Sequence, residues 1–456
     1  MLKSSYLHLA SLALVFTLLL SQPAPAMTLT EAVSFAMKHN RDILSGQEEI
    51  HERHGLVLES RADAFPQFNL AMSTFRMRDP GFLNSTFGQE LLKGGGAGLD
   101  DMPIPIEAIM PKPQSFYEMT MNVSQPLFTW GKVSNAYKLA NLGIKDSNLN
   151  LERTRQNVAY EVTSAYYGVL LGEETIAMYE KAIETQKRYL KQIRDFFEVG
   201  DGTRLDILRA ESQLATTEPD LFQAKHALTQ AKKNLNFLLG RGLDQPISTS
   251  PVEMVVEFSA PGLDSVVSVA VTNRPDLRQL KVQVDMYDKS INIFKADFRP
   301  RADLVGHYGF STINTDDLLD RNFESWRVAL EISIPVFDGF RNRGVVMQYK
   351  SLKNRKEIER EKLAEQIRLQ ARQAIDACNS AAKVYRGRQL SLASSEEEER
   401  VTSDQFEQGL VTLYELLDSN RRMLVVRNQA IQARYNLSSE IANLKRVMGI
   451  PVEEWY

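Results

Sequence analysis

The sequence predicts an α+β membrane protein built by tandem duplication, and three features of the chain support that fold class. Residues 120–240 and 329–449 align at a constant offset of 209 residues. Four segments, two in each copy, alternate between apolar and polar side chains over about 9–10 residues, the length that a tilted β-strand needs to cross a bilayer. Residues 129–199 and 338–408 contain no proline and are rich in helix-forming residues.

The duplication is visible at matching landmarks in the two copies. Ser-Gln-Pro-Leu-Phe at 124–128 corresponds to Ser-Ile-Pro-Val-Phe at 333–337, and Phe-Glu-Val-Gly at 197–200 corresponds to Phe-Glu-Gln-Gly at 406–409. A repeat of this length is too long for a solenoid unit. We therefore expect two similar halves that complete one structure together.

The first 26 residues have the pattern of a signal peptide cleaved after Ala26. Lys3 precedes an apolar run at 9–20 and the small residues around Ala24. A membrane anchor is the alternative, but the run is short for a transmembrane helix. No cysteine stands directly after the cleavage site, which excludes lipid attachment there. We expect Cys378, the only cysteine, to be a small buried apolar residue. The net charge of −4 argues against nucleic acid as the main partner.

The four predicted strands are residues 67–75, 116–125, 301–310 and 326–334, and prolines stand near their ends. Proline lacks the N–H that a strand donates, so we expect a strand–helix junction at each of these prolines. They are Pro66, Pro126, Pro300 and Pro335. Because the smallest outer-membrane barrels have about eight strands, and an open sheet edge is not tolerated in lipid, four strands require an oligomer.

The remaining segments predict helices. Two short helices, 28–39 and 41–64, open the first copy, and the long helices 129–199 and 338–408 would each extend on the order of 100 Å. Residues 204–240 and 412–447 carry the apolar heptad spacing of helices that pack against a neighbour. Pro219 predicts a kink in the first of this pair.

These elements divide the chain into five parts. The parts are a signal peptide (1–26), a first repeat (27–240), a linker (241–262), a second repeat (263–449) and a short C-terminal tail (450–456).

Each pair of strands encloses an insert. The inserts 76–115 and 311–325 follow the first strand of each pair and are expected at the sheet end opposite the helices.

This combination resembles the TolC-like outer membrane efflux protein family, the outer membrane factors, over essentially the whole mature chain. The resemblance rests on the duplication, the junction prolines, the two Phe-Glu-x-Gly turns and Asn-Arg-Pro-Asp-Leu at 273–277. It implies a homotrimer in the outer membrane, with a twelve-stranded transmembrane β-barrel and a long periplasmic α-helical barrel of coiled-coil hairpins. It also implies a passive exit duct of a tripartite efflux or type I secretion system, with no enzymatic activity and no cofactor. The partners would be a periplasmic adaptor (membrane fusion) protein, an inner-membrane pump of RND or ABC type, and outer membrane lipid.

The resemblance assigns adaptor contact to the two helix–turn–helix tips, 197–208 and 406–417. The alternative is that these residues only turn the chain, with Gly200 and Gly409 as left-handed helix caps. The contact residues would be Gly200, Asp201, Gly202, Thr203 and Leu205 in the first tip, and Gly409, Leu410, Val411, Thr412 and Leu413 in the second.

The resemblance also places three carboxylates, Asp206, Glu415 and Asp418, at a periplasmic pore constriction. Three-fold symmetry would turn each into a ring that attracts cations. The alternative is that all three are ordinary solvated carboxylates on a helix. The arginine and tyrosine that close the best-known family members are replaced here by Val411 and Phe406. Neither can make a charge-assisted hydrogen bond, so we expect closure to rely more on packing, with Arg204 as a possible substitute.

Other patterns are weaker. His51 and His54 lack a third metal ligand, Glu396–Glu399 predict an exposed helix face, and Gly94–Gly96 lack the residues of a phosphate loop. No catalytic triad or cofactor motif is evident in the sequence.

The second interpretation, from a different functional class, is a secreted coiled-coil structural or adhesive protein whose strands form a soluble head. Lipid exposure of one strand face distinguishes the two, and that face would carry Tyr117, Met119, Met121, Val328, Leu330 and Ile332. The sequence does not specify the exported substrate.

Overall fold

A computed structural model describes residues 26–78, 113–252, 258–259 and 261–455. The predicted signal peptide before Ala26, most of the 76–115 insert and part of the 241–262 linker lie outside the described residues. The described helices are α1 Leu29–His39, α2 Arg41–Ala62, α3 Lys132–Glu198, α4 Arg204–Leu238, α5 Leu263–Asn273, α6 Pro275–Ala296, α7 Arg341–Glu407 and α8 Leu413–Val447. The described strands are β1 Gln67–Met77, β2 Gln114–Phe128, β3 Arg301–Thr312 and β4 Glu324–Ser333.

The two copies contain helices of equal length. Helices α3 and α7 each have 67 residues, and α4 and α8 each have 35. At about 1.5 Å per residue, α3 and α7 each extend on the order of 100 Å. Pro219 lies inside α4, which continues beyond it to Leu238.

The four strands form one antiparallel sheet in the order β1-β2-β3-β4. Its register places residues of one kind side by side across all four strands. Asn69, Asn122, His307 and Arg327 form a polar row, and Leu70, Met121, Tyr308 and Trp326 form an apolar row. Because side chains alternate between faces along each strand, one face of the sheet is apolar and the other polar, as the period-two pattern predicts.

Three of the four junction prolines lie outside the strands. Pro66 and Pro300 immediately precede β1 and β3, and Pro335 follows the end of β4. The prediction of a junction at Pro126 needs correction, because β2 continues through it to Phe128. The pairing of β2 with β3 shifts register between Pro126 and Phe128, and such a bulge accommodates a residue without an N–H.

The chain forms two compact units, and neither corresponds to one repeat. One unit contains the described residues of 1–51, 145–282 and 356–456, and the other contains those of 52–144 and 283–355. The main core of the first unit combines Tyr166 and Leu235 from the first repeat with Tyr435 from the second. Each repeat therefore supplies side chains that bury the other.

Cys378 is buried in a smaller core of the first unit, where burial raises the pKa of its thiol to about 12. This is the environment that we expect for a cysteine serving as a small apolar residue.

Among the described residues, no helix has both the length and the hydropathy required to cross a bilayer.

Candidate functional site

The candidate site is formed by the two turns that join α3 to α4 and α7 to α8. At the first turn, the N–H of Asp201 donates to the carbonyl of Phe196 at 2.9 Å, and the N–H of Gly200 donates to that of Phe197 at 3.2 Å. This pair of bonds is a Schellman motif, which satisfies the last carbonyls of the helix. Gly200 has a φ of 89°, the left-handed conformation that the motif requires and glycine adopts without a Cβ penalty.

The second turn repeats the first. Leu410 donates to the carbonyl of Gln405 at 2.9 Å, Gly409 donates to that of Phe406 at 3.0 Å, and Gly409 has a φ of 73°. The Phe-Glu-x-Gly pattern thus encodes the same helix end in both copies.

A capping box begins the helix that follows each turn. Thr203 caps α4, and its hydroxyl accepts from the N–H of Asp206 at 3.2 Å while the Asp206 carboxylate accepts from the Thr203 N–H at 3.2 Å. Thr412 caps α8 in the same way, and the Glu415 carboxylate accepts from the N–H and hydroxyl of Thr412 at 2.7 and 2.9 Å. Two of the three carboxylates predicted at a constriction therefore have a structural partner within their own turn.

The electrostatics of Glu415 follow from this geometry. Hydrogen bonds from the Thr412 backbone N–H and hydroxyl stabilise the charged carboxylate, and they lower the pKa of Glu415 from its ordinary value. Glu415 is consequently ionised at neutral pH and held against its own helix end.

Asp418 is also engaged, by two arginines one turn further along α8. It accepts from Arg421 at 2.8 Å and pairs with Arg422. The hydrogen bond from Arg421, with the charges of both arginines, lowers the pKa of Asp418. Arg422 also pairs with Glu398 of α7 at 2.7 Å. Asp418, Arg422 and Glu398 thus form a chain of ion pairs that joins α8 to α7.

The acidic run at 396–399 differs from a simple solvated face. Glu396 pairs with Arg427 of α8 at 2.7 Å, and Glu397 pairs with Arg400 of its own helix at 2.7 Å. The run is largely solvent-exposed, as predicted, but it also holds α7 against α8 through ion pairs that the sequence pattern did not reveal.

The two turns pack against each other. The rings of Phe196 and Phe406 lie 6.4 Å apart at 58°, above an apolar cluster that includes Ile193, Leu413 and Leu416. A groove of about 500 Å³ lies beside them, and Asp201, Gly202, Asp206, Phe406, Val411 and Thr412 are among its lining residues.

The predicted contact residues divide into exposed and buried groups. Leu410 is 69% exposed and Leu205 is also exposed, whereas Leu413 is 7% exposed and belongs to the core of the tip. The side chain of Leu413 is therefore not available to a partner in this conformation. Sequence reasoning missed Val199 and Tyr414, both exposed at the tips. For Val199 the available signal was an apolar side chain beside the turn glycine Gly200.

The two residues at the expected closing positions are apolar, and they differ in their surroundings: Phe406 lies against an aromatic ring, whereas Val411 borders a groove that charged residues also line. Phe406 contacts Phe196, and Val411 lines the same groove. Asp206 lies 3.9 Å from Arg209. Within the described part of the chain, Arg204 has no ion-pair partner, so its guanidinium is available for a contact with another chain.

His51 and His54 lie on α2. Within the described ranges, no group of three or more histidine, cysteine, aspartate or glutamate side chains has the arrangement of a metal site.

Comparison with known proteins places these features in a family. The chain is 22% identical to the alkaline protease secretion protein AprF of Pseudomonas aeruginosa, over 73% of this chain and 70% of that protein. It is 20% identical to the outer membrane protein TolC of Vibrio cholerae, over 95% of this chain and 93% of that one.

Solved structures show the same fold. A membrane protein from Pseudomonas aeruginosa superposes with a TM-score of 0.78 at 20% identity, over 92% of each chain. The CmeC outer membrane channel of Campylobacter jejuni gives a TM-score of 0.75 at 17% identity, over 92% of this chain and 85% of that one. The predicted α+β fold is thereby confirmed. The model of the outer membrane efflux protein family matches residues 32–241 and 266–450, and the chain belongs to that family.

Proposed function

We propose that the chain is the exit duct of a tripartite efflux or type I secretion system, and that it passively conducts substrates across the outer membrane. The proposal rests on the sheet, which has one apolar face and one polar face. Its apolar face exposes Leu70, Trp326 and Leu330, and its opposite face carries Asn122 and other polar side chains. Lipid on one side and water on the other is the environment that such a sheet requires.

The open edges of the sheet support an oligomer, and membership of the outer membrane efflux protein family supports three copies, a homotrimer. Among the described strands, β1 pairs only with β2 and β4 pairs only with β3. Unpaired backbone groups cannot remain in lipid, so β4 of one copy is proposed to pair with β1 of the next. Three copies close a barrel of twelve strands.

Family membership and the exposed apolar face favour the duct over the secreted coiled-coil alternative. A soluble head would bury that face in a protein core, whereas Phe68, Met72 and Val328 are exposed.

The tips are proposed to bind the periplasmic adaptor, and the inner-membrane pump, of RND or ABC type, supplies the substrate. Exposed Leu205, Leu410 and Tyr414 provide an apolar surface beside the groove at the turns. Clustered exposed apolar side chains are typical of protein interaction sites. The relatives include both a protease secretion protein and a toluene efflux pump component. The partner pump is therefore proposed to determine the substrate.

Asp206, Glu415 and Asp418 are proposed to line the constriction of the duct. Their hydrogen bonds within the chain give them a second role, since Asp206 and Glu415 each cap a helix and Asp418 is paired with arginines. Of the three, Asp418 is the one whose charge can be removed without breaking a helix cap.

The duct is tested by the mass of the detergent-purified protein and by its single-channel conductance in a planar bilayer. A trimer with small, cation-selective currents that increase in Asp418→Ala is the expected result. A species that is soluble without detergent and gives no conductance would overturn the duct and favour the coiled-coil alternative.

Closure by packing is tested with Val411→Arg, which restores a basic side chain at the tip. A decrease in spontaneous opening, with altered drug sensitivity, is expected because the new guanidinium can pair with Asp206. Unchanged closed-state conductance and drug sensitivity would remove the support for closure by packing.

Adaptor docking has a matched pair of variants. Leu410 in the second tip and Leu390 within α7 are both 69% exposed. Leu410→Asp is expected to abolish cross-linking to the adaptor while Leu390→Asp retains it. Equal cross-linking in both variants would place the docking surface away from the tips.

A further inference from the structure

A second groove lies in the compact unit that contains the sheet, between the end of α6 and the start of α7. Its volume is about 630 Å³. Four basic side chains line it, and they are Lys295, Arg299, Arg343 and Lys350. Among the described residues of the lining, Asp338 is the only acidic one, which gives them a net charge of 4 − 1 = +3.

Most of this positive charge is not neutralised by the protein. Among the described residues, Lys295, Arg343 and Lys350 form no ion pair. The Asp338 carboxylate instead accepts a hydrogen bond from the N–H of Asn342 at 2.8 Å. Arg299 stacks on the ring of Trp130, with its guanidinium carbon 4.9 Å from the ring centroid. The groove therefore has a net positive charge that can bind an anion.

Exposed aromatic side chains border the basic residues. Phe337 is 72% exposed and Phe340 is 67% exposed, and their rings meet edge to face at 5.5 Å. Phe340 has a φ of 65°, an uncommon conformation for a bulky residue. The surface combines cations with apolar rings that no described residue covers.

The position of the groove identifies the ligand class. Arg299 immediately precedes Pro300 and β3, and Phe337 follows the end of β4 by four residues, so the groove lies at the end of the sheet from which the helices continue. If the strands cross the outer membrane, as the proposed function requires, this is the level of the inner-leaflet headgroups. Basic and aromatic side chains together are typical of that interface.

We propose that the groove is a binding site for an anionic phospholipid. The lysines and arginines bind the headgroup phosphate, and the acyl chains lie along Phe337 and Phe340. This inference rests on the membrane placement in the proposed function, and it adds a ligand and a site to it.

The duplication supplies an internal control. The corresponding groove of the first repeat, about 750 Å³ in volume, lies beside the end of α2 and the start of α3 and is lined by Phe65, Phe128 and Tyr137. Its charged lining residues are Arg61 and Asp63, for a net charge of 1 − 1 = 0. This groove has aromatic lining residues but no net positive charge. It should therefore bind anionic and zwitterionic lipids with equal affinity.

The test uses the full-length protein in nanodiscs with limiting phosphatidylglycerol in a phosphatidylcholine background. Lipid retained after detergent extraction is counted by native mass spectrometry. The wild-type protein is expected to retain phosphatidylglycerol selectively. The R343Q/K350Q variant should bind it roughly 30-fold more weakly, since each cation near an anionic lipid contributes roughly fivefold. R61Q in the first repeat should bind like the wild type.

Three outcomes would overturn the proposal. The first is equal retention by R343Q/K350Q and wild type. The second is displacement of the lipid by millimolar inorganic phosphate, which would indicate a site for the free anion. The third is loss of the trimer in R343Q/K350Q, which would indicate that a second copy of the chain covers the groove.

Trimer mass and conductance are measured on the same wild-type preparation. A wild-type trimer that conducts ions but retains no anionic lipid refutes the lipid site alone. A wild-type protein that neither forms trimers nor conducts refutes the proposed function itself.

Discussion

At the scale of single residues, threonine caps fix the geometry of the tips. Thr412→Ala removes the hydroxyl that accepts from Glu415, and Thr203→Ala does the same in the first tip. Loss of such a cap costs about 1 kcal/mol. We expect faster amide exchange in the first turn of α8 or α4, measured by hydrogen–deuterium exchange of tip peptides.

Thr402→Ala is the matched control for that measurement. The Thr402 hydroxyl bonds back to the carbonyl of Glu398 within α7, so it caps nothing, and alanine is a better helix former than threonine. Equal acceleration by Thr402→Ala and Thr412→Ala would contradict the capping role.

The tip is also expected to loosen in acid. The pKa of Glu415 is lowered in the folded state from an ordinary value of 4.5. A lowered carboxylate pKa stabilises the folded tip above the ordinary pKa, and that stabilisation is lost as the pH falls below about 4.5, through the folded pKa. Amide exchange at the α8 cap, corrected for the intrinsic pH dependence, should therefore accelerate between pH 5 and pH 3.

Glu415→Gln tests the assignment of that acid effect. The amide cannot titrate, so this part of the pH dependence should disappear while the Thr412 cap is retained. A pH profile unchanged by the substitution would assign the effect to another carboxylate.

The sequence contains the spacing of two capping boxes, but the bonds themselves could not be predicted from it. Thr203 and Asp206, and Thr412 and Glu415, each stand three residues apart at a helix start, which is the capping-box spacing. We assigned Asp206 and Glu415 to a pore from the family resemblance. Their bonds within the chain depend on which rotamers the turn permits, and residue spacing alone does not show that.

At the scale of elements, Arg422 connects α7 and α8 beside the proposed constriction. It pairs with Asp418 and with Glu398. Arg422→Gln leaves Asp418 with Arg421 as its remaining partner, so the proposed ring becomes more negative. We expect a shift of the reversal potential toward cation selectivity in a KCl gradient across a planar bilayer.

Arg427→Gln is the control for this charge effect. Arg427 pairs with Glu396 at 2.7 Å and does not contact Asp418. A reversal potential that moves as far in Arg427→Gln as in Arg422→Gln would mean that net charge, and not the local pairing of Asp418, sets the selectivity.

The regular elements follow from the sequence more closely than the irregular ones. The long helix expected at 129–199 is Lys132–Glu198 in the structure, since an unbroken run of helix formers ends at a glycine turn. The end of β2 could not be predicted, because a bulge allows Pro126 to remain inside the strand. Ion pairs between α7 and α8 also escaped prediction, because they depend on how two helices are aligned.

At the scale of the whole molecule, the two repeats contribute side chains to one shared core. Tyr435 and Trp455 of the second half complete a core that begins at Leu29. The sequence predicted that the halves complete one structure, but periodicity does not show which side chains cross between them.

Division of the chain within 253–257 tests this interdependence. Either fragment alone is expected to be degraded by trypsin, because each leaves the shared core open to water. The two fragments expressed together should recover a protease-resistant complex. A fragment that is resistant on its own would show that one repeat folds independently.

The order of the strands has a consequence for assembly. The pairing of β2 with β3 joins the first repeat to the second within one chain, and the proposed pairing of β4 with β1 joins the second repeat of one chain to the first of the next. A closed barrel therefore contains six pairings between neighbouring repeats. Three are β2–β3 pairings within a chain, and three are the proposed β4–β1 pairings between chains. A single-repeat ancestor would have needed six molecules to meet, with a rate that falls steeply on dilution. Fusion of the repeats makes half of those encounters intramolecular, so the ring can close at a much lower protein concentration.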